Sequence, residues 1–268
     1  MLRNFKGALR EILVFLMMSE EEFVVQWIDL ALKKKDVNLL TLIICTQNNK
    51  SLEKVRGLYD EQNRKSMVDK IDGLTSNLIH KRNINKFLLG LLETARAHDT
   101  ADVDLKVVEQ DVDLLIKGSK SKKKLNKETY ITIFTQRSLE HLYFVSVRFE
   151  EKMEHKTTLI DTVKALWKES SETAYAIKVI LYFATRRHEL FANCLGQTVH
   201  EPGPHFVMFL RVIVERAEVD LGNVIELYGE NALKSFIERT MKKKEPDAAK
   251  IVNALCGFSG SNGMVLVD

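Results

Sequence analysis

Apolar positions recur at helical spacing in three segments that share one pattern. In each segment a Leu is followed by a Val three residues later and an aromatic residue after a further four, which places all three on one face of a helix. The pattern begins at positions 52, 142 and 221, so the copies lie 90 and 79 residues apart. Two apolar residues and then Gln47, Arg137 or Arg216 precede it. The chain is therefore predicted to be built from a helical repeat.

Each copy has the same neighbours along the chain. An amphipathic helix is predicted ahead of each copy, at Glu22–Leu32, Val107–Ile116 and Glu189–Thr198. A more apolar helix is predicted after each copy, at Lys86–Ala95, Thr173–Ala184 and Ala248–Cys256. Each repeat then contains about five helices. The segment Leu9–Met17 has the pattern of such a closing helix with nothing in front of it.

Composition supports a helical chain. Its 268 residues include 12 Gly and 3 Pro, too few for a loop-rich β fold, because these residues interrupt helices and populate turns. No apolar run approaches the roughly 18–20 residues that a membrane span needs. Three distant cysteines do not make a disulfide framework and favour a reducing compartment. A net charge of +3 does not by itself imply a nucleic-acid partner.

Several motifs resemble the annexins. The segment Phe209–Leu221, FLRVIVERAEVDL, is similar to the arginine-containing motif of that family, and Ala254–Gly257, ALCG, to its closing motif. The segment Thr132–Leu142, TIFTQRSLEHL, matches nearly as well. The resemblance implies an all-α fold of five-helix repeats packed into a curved disc. Because only three repeats are complete where annexins usually carry four, the chain also resembles the divergent protist alpha-giardins.

The resemblance implies a division of the chain into repeats. Residues 1–18 would be the last helix of a truncated first repeat. Residues 19–104, 105–188 and 189–258 would be the second, third and fourth repeats, and residues 259–268 a flexible tail.

Annexins bind membranes through calcium, and Ca²⁺ is the only cofactor that the resemblance suggests. Their sites combine backbone carbonyls of a GxGT loop between the first two helices with a later acidic side chain, a set that suits this oxygen-seeking cation. The loop motif is lost here. The second repeat has Lys33–Asn38 in its place, the third has Lys124-Leu125 at the Gly-Thr positions, and the fourth has Gly203-Pro204.

Acidic partners of the calcium loops survive only in part. Asp72 keeps its approximate place in the second repeat, whereas Lys243 stands near it in the fourth. Glu169 and Glu172 in the third repeat are candidate calcium ligands. The alternative for Glu172 is a helix N-terminus, where an acidic side chain is favoured.

Lysine clusters occupy loops that would face the membrane in an annexin. Two of them fall in the first inter-helix loop of a repeat, and the third precedes a closing helix. They supply the candidate lipid-binding residues Lys33, Lys34, Lys35, Lys120, Lys122, Lys123, Lys124, Lys242, Lys243 and Lys244. A lysine beside an anionic bilayer contributes about 1 kcal/mol, so such clusters could take the place of calcium. The other reading of a lysine run is a solvated loop.

These observations predict a non-enzymatic, cytoplasmic protein, peripheral at the membrane or the cytoskeleton. Its expected partners are acidic phospholipids, with calcium dependence weakened or lost. No motif for a nucleophile, a P-loop or a dinucleotide is present in the sequence, which disfavours an enzyme. Two alternatives use the same fold: a scaffold bound to cytoskeletal proteins, and a helical repeat protein bound to RNA or another polyanion. No nucleic acid is expected under the favoured hypothesis.

Overall fold

A computed structural model describes residues 6–76, 82–93, 96, 102–120, 127–167, 171–199 and 206–258. Within these ranges the chain forms sixteen α-helices and no β-strand, so the predicted all-α class is confirmed. In chain order the helices are α1 Gly7–Leu16, α2 Glu20–Lys34, α3 Val37–Cys45, α4 Asn49–Gln62, α5 Met67–Thr75, α6 Arg82–Glu93, α7 Leu105–Lys120, α8 Lys127–Gln136, α9 Leu139–Lys152, α10 Leu159–Leu166, α11 Glu172–Thr185, α12 Arg187–Val199, α13 Phe206–Arg216, α14 Leu221–Tyr228, α15 Glu230–Ile237 and α16 Pro246–Leu255. A π-helical turn, Glu238–Lys242, continues α15.

The described helices can be grouped by the repeat spacing of the sequence. After α1 come three successive groups of five helices, α2–α6, α7–α11 and α12–α16. The predicted amphipathic helices correspond to α2, α7 and α12, and the predicted closing helices to α6, α11 and α16. The first helix of the last group begins at Arg187, two residues ahead of the boundary expected at 189.

Contacts divide the chain into two compact units. Ser19–Arg186 forms one unit, which contains α2–α11. The described parts of 1–18 and 187–268 form the other, which contains α1 and α12–α16.

In the unit Ser19–Arg186, polar side chains fix where most helices begin. Seven residues each accept a hydrogen bond from the backbone N–H three positions later, which satisfies a donor that the first turn leaves open. They are Ser19, Asp36, Asn48, Ser66, Ser138, Thr158 and Ser171. Ser19 and Glu22 form a full capping box. These caps explain why α2 and α3 are separated by only two residues.

The marker leucines of the repeat pattern are all buried, as predicted. Leu52, Leu142 and Leu221 lie in the core, and the valine three residues after each is fully buried as well. The third helix nevertheless begins later in the last group. Asn48 and Ser138, which are 90 residues apart, cap α4 and α9. The corresponding residue 79 positions further on is Ala217, whose side chain cannot accept a hydrogen bond, and α14 begins only at Leu221.

In the other unit, α1 packs against α13 and α16. Lys6, at its N-cap, forms no side-chain hydrogen bond. A carboxylate oxygen of Glu245 instead accepts a hydrogen bond from the backbone N–H of Leu9 at 3.3 Å. Gly7 has a φ of +61°, and a Cβ there would come within 2.7 Å of this carboxylate. The start of α1 is therefore shaped to receive an anionic side chain from the residue that precedes α16.

Candidate functional site

The cluster Lys33–Lys35 lies at the end of α2 rather than within a loop. Lys33 and Lys34 are the last two residues of the helix, and Lys35 follows in the left-handed conformation with a φ of 54°. Nζ of Lys33 lies 2.5 Å from a carboxylate oxygen of Asp29, one helical turn earlier. Lys34 and Lys35 are exposed, and no described carboxylate lies within ion-pair distance of either.

The connection between α2 and α3 does not fit a calcium ion. The backbone N–H groups of Lys35 and Asp36 donate to the carbonyls of Leu32 and Ala31, so both carbonyls already accept hydrogen bonds. The carboxylate of Asp36 accepts from the N–H of Leu39 at 2.9 Å. Calcium requires six or more oxygens turned toward one point. This two-residue connection offers few free oxygens, because the Asp36 carboxylate caps α3 and the carbonyls of Ala31 and Leu32 already accept hydrogen bonds.

The acidic partner expected in the second repeat is also engaged. An oxygen of Asp72 accepts a hydrogen bond from Nδ2 of Asn85 at 2.8 Å, and the same nitrogen donates to Oγ1 of Thr75. These contacts join α5 to α6. Asp72 therefore has a structural role in this arrangement.

The cluster Lys242–Lys244 repeats the arrangement seen at the end of α2. Nζ of Lys242 lies 2.7 Å from an oxygen of Glu238, one turn earlier. Lys243 and Lys244 follow in a turn and are exposed, with no described carboxylate within ion-pair distance. In both clusters the first lysine is paired along its helix, while the next two point their charge into solvent.

The third cluster falls largely outside the described residues. Lys120 is the last residue of α7, but its side chain and the residues Lys122, Lys123 and Lys124 lie outside the described part of the chain. Glu169 lies outside it as well. Glu172 is the first residue of α11, whose N-terminus is capped by Ser171, so it stands where a helix dipole favours an acid.

Glu245 is an acidic residue of the fourth repeat that the sequence did not single out. It follows Lys242–Lys244 directly and lies two residues beyond the position where calcium sites of the family would need an acid. Its carboxylate faces the N-terminus of α1, as described above. The one signal in the sequence is its place immediately before Pro246, since proline commonly opens a helix.

Two arginines of the repeat pattern pair with acids, as expected. Nε and Nη2 of Arg137 donate to the two oxygens of Asp111 at 2.6 and 3.0 Å, and Nε2 of His141 lies 2.8 Å from the same carboxylate. Nε of Arg216 donates to Asp220 at 2.7 Å, and Nε2 of His188 lies 3.2 Å from the second oxygen of that carboxylate. The groups around Asp111 and Asp220 each connect the first and third helices of a repeat.

Among the described residues, no group of three or more His, Cys, Asp and Glu side chains is arranged to hold a metal ion. Burial raises the pKa of the Cys45 and Cys194 thiols to about 12, which keeps both protonated and poorly nucleophilic. In the part of the chain that the structure describes, no helix is long and apolar enough to cross a bilayer.

Comparisons with known proteins agree on one family. No family model matches the chain. It is 25% identical to bovine (Bos taurus) annexin A1 over 254 residues, which cover 94% of this chain and 70% of the relative. It aligns with a solved structure of annexin A8 at a TM-score of 0.80 and 21% identity, covering 94% of this chain and 77% of that one. An alpha-14 giardin structure aligns at a TM-score of 0.74 and 17% identity, covering 93% and 81%. The chain is thus similar in sequence to annexins and shares the fold of annexins and alpha-giardins.

Proposed function

We propose that this protein is a non-enzymatic, peripheral membrane protein that binds anionic phospholipids through lysines at helix ends, with little dependence on calcium. Annexins generally bind acidic phospholipid membranes without catalysing a reaction. The observation that carries the proposal is the shared arrangement of Lys33–Lys35 and Lys242–Lys244. Each cluster leaves two adjacent ammonium groups free of described carboxylates.

The charge pattern favours phosphate-rich surfaces. The ion pairs with Asp29 and Glu238 partly offset the charge of the first lysine in each cluster, whereas the two outer lysines have no described carboxylate beside them. Each lysine close to an anionic leaflet contributes about 1 kcal/mol, and the attraction decays within a Debye length of about 8 Å at physiological salt. Exposed aromatic side chains are absent from both described clusters, so binding would rest on charge more than on insertion.

The second repeat supports a reduced role of calcium. Structures of alpha-14 giardin and of annexin (Sm)1 are calcium-bound. In this chain, the oxygens of Asp36 and Asp72 are engaged in helix capping and in a hydrogen bond to Asn85. Glu169 and Glu172 remain the candidate ligands for a residual calcium site in the third repeat. Calcium binding there would add to the attraction of the lysines.

Vesicle co-sedimentation tests the proposal. The full chain is mixed with phosphatidylserine-containing vesicles or with neutral phosphatidylcholine vesicles, in calcium and in chelator. We expect pelleting with the anionic vesicles in both conditions, weakening as salt rises, and none with neutral vesicles. If the protein pellets with anionic vesicles only when calcium is present, the proposal is contradicted. Stronger competition by RNA than by anionic vesicles would favour the polyanion-binding alternative.

The third cluster can be tested in the same assay. Replacing Lys120, Lys122, Lys123 and Lys124 by Ala should weaken vesicle binding by about tenfold, or about 1.4 kcal/mol. The unfolding temperature should hardly change, because surface substitutions of this kind usually alter stability by less than about 0.5 kcal/mol. If vesicle binding is unchanged, these four lysines are not part of the lipid-binding set.

A further inference from the structure

The outer face of α9 exposes three large apolar side chains next to one another. Tyr143, Phe144 and Val147 are exposed by 43%, 37% and 39%. The two rings meet edge to face with their centroids 5.5 Å apart. Their spacing of one, three and four residues places them on one side of the helix. Single exposed apolar residues are common, but a contiguous aromatic patch marks a contact surface more often.

The other repeats serve as an internal control for this patch. The corresponding positions are exposed in α4 and α14 as well. They hold Glu53, Lys54 and Gly57 in α4, and Gly222, Asn223 and Glu226 in α14. At these three positions the other two repeats therefore fold with polar or small residues, although Val219 and Leu227, the last repeat's equivalents of Glu140 and Arg148, are exposed apolar side chains. The fold therefore does not require apolar side chains at these positions of α9, and we attribute them to a contact with another molecule.

The charges on this face are arranged symmetrically about its centre. Glu140 lies four residues before Phe144 and Arg148 lies four residues after it, so the three share one face of the helix. Both flanking residues are exposed. Within one protomer, Arg148 also forms ion pairs with Glu109 on α7 and with Glu151, so a contact with a second copy would add to these pairs.

Such a face is complementary to itself. If two copies of α9 lie antiparallel about a two-fold axis at Phe144, Glu140 of each copy meets Arg148 of the other. The aromatic residues then cover one another in the centre, and the same patch serves both copies, as a two-fold interface requires. Tyr is also among the residues enriched at the energetic centres of interfaces.

We infer that two copies of this chain associate through the α9 face, with Phe144 at the centre and two Glu140–Arg148 pairs at the rim. This contact goes beyond the proposed membrane binding and does not depend on it. One helix face is smaller than the roughly 800 Å² per partner of a standard interface, so the association is weak. Its dissociation constant should lie in the micromolar range, near −8 kcal/mol.

A charge exchange tests the two-fold geometry directly. Sedimentation equilibrium is measured for the full chain, for Glu140→Arg, for Arg148→Glu, and for an equimolar mixture of the two variants. Each variant alone should dimerise about tenfold more weakly, because like charges then face each other. The mixture should recover the association. In a mixed dimer one copy carries Arg at both positions and the other carries Glu at both, so each rim contact again joins opposite charges. A mixture no tighter than its components overturns the inferred geometry.

The apolar centre is tested with residues taken from the chain itself. The double variant Tyr143→Glu with Phe144→Lys copies Glu53 and Lys54 of α4, so the fold is expected to accept it. It should be monomeric, whereas the matched exposed substitution Lys50→Glu should dimerise as wild type does. Wild-type protein that stays monomeric at about 100 µM, well above a micromolar dissociation constant, overturns the inference. So does a double variant that associates as tightly as wild type.

Discussion

Arg137 donates two hydrogen bonds to Asp111, which joins the end of α8 to the first helix of its repeat. The Asp111 side chain is 3% exposed. Burial alone would raise the pKa of this carboxyl, but hydrogen bonds from His141 and Arg137 outweigh it and hold the pKa below its usual range. Asp220, at the sequence equivalent of His141, receives Arg216 and His188 in the last repeat. In the third repeat the acid lies on the first helix and the histidine on the third. In the last repeat the histidine lies on the first helix and the acid at the start of the third.

Substituting Asp111 by Asn should lower the free energy of unfolding by about 2 kcal/mol or more, because the charge-assisted bonds to Arg137 and His141 are lost. Urea unfolding at neutral pH measures the change. Asp113→Asn is the control on the same helix, since that carboxylate is largely exposed and pairs only with Lys152 in the described residues. Its cost should stay below about 1 kcal/mol.

The same carboxyl predicts a pH dependence. A depressed folded-state pKa contributes stability above the unfolded value of about 3.9, and this contribution is lost as pH falls through the lower folded value. The difference between wild type and Asp111→Asn should therefore be largest at neutral pH and shrink below about pH 4. A difference that stays constant down to pH 2 would mean that the charge of Asp111 is not what stabilises the contact.

Lys35 is a lysine in a conformation that favours glycine. Its φ of 54° ends α2 in the left-handed region. Lys35→Gly should raise the free energy of unfolding by about 0.5–1 kcal/mol, because it relieves the contact between Cβ and the following carbonyl. Lys34→Gly is the matched control, inside the helix, and should lower stability by about 1 kcal/mol. Equal effects of the two variants would show that the conformation of Lys35 carries no strain.

Gly7 and Glu245 together define how α1 is held. Gly7→Ala places a methyl group against the Glu245 carboxylate at a positive φ, so α1 should lose its cap and exchange its amide hydrogens faster. Hydrogen exchange resolved by helix measures this effect. Exchange in α7 and α9 should be unchanged. Ala8→Gly is the comparison that weakens α1 without touching the cap.

Glu11 should show the opposite pH behaviour to Asp111. Burial and then the charge of Glu245 raise its pKa, against a smaller opposing effect of Arg10. A raised folded pKa means that stability is fully present below the unfolded pKa of about 4.3 and is lost as pH rises through the folded value. Glu11→Gln should therefore stabilise the protein modestly at pH 7 and leave it unchanged near pH 3. Destabilisation at pH 7 would contradict this account.

The sequence predicted the helical repeat because its markers are local. Leu52, Leu142 and Leu221 and the helices around them follow from periodicities that span a few turns. The pairing of Arg137 and Arg216 with acids was also predictable, since a guanidinium beside a helical core needs a carboxylate or carbonyls.

What the sequence could not predict depends on contacts between distant residues or on unfavourable local choices. Glu245 and Leu9 are 236 residues apart, so no spacing signals their hydrogen bond. Lys35 occupies the position after α2 where a glycine would have indicated the end of the helix. Ala217 stands where the other repeats have a capping residue, so the sequence contains no positive signal for the late start of α14.

Exposed lysines at helix ends are proposed to bind anionic membranes without a need for calcium. The most direct test is vesicle co-sedimentation in chelator, with a variant in which Lys34, Lys35, Lys243 and Lys244 are all Ala. The matched control removes the same charge from exposed residues outside the clusters, at Lys50, Arg64, Lys65 and Lys106. We expect the first variant to bind phosphatidylserine-containing vesicles at least about tenfold more weakly than wild type, and the control to lose much less. The proposal is contradicted if wild type and the first variant bind equally well. It is also contradicted if wild type binds only after calcium is added.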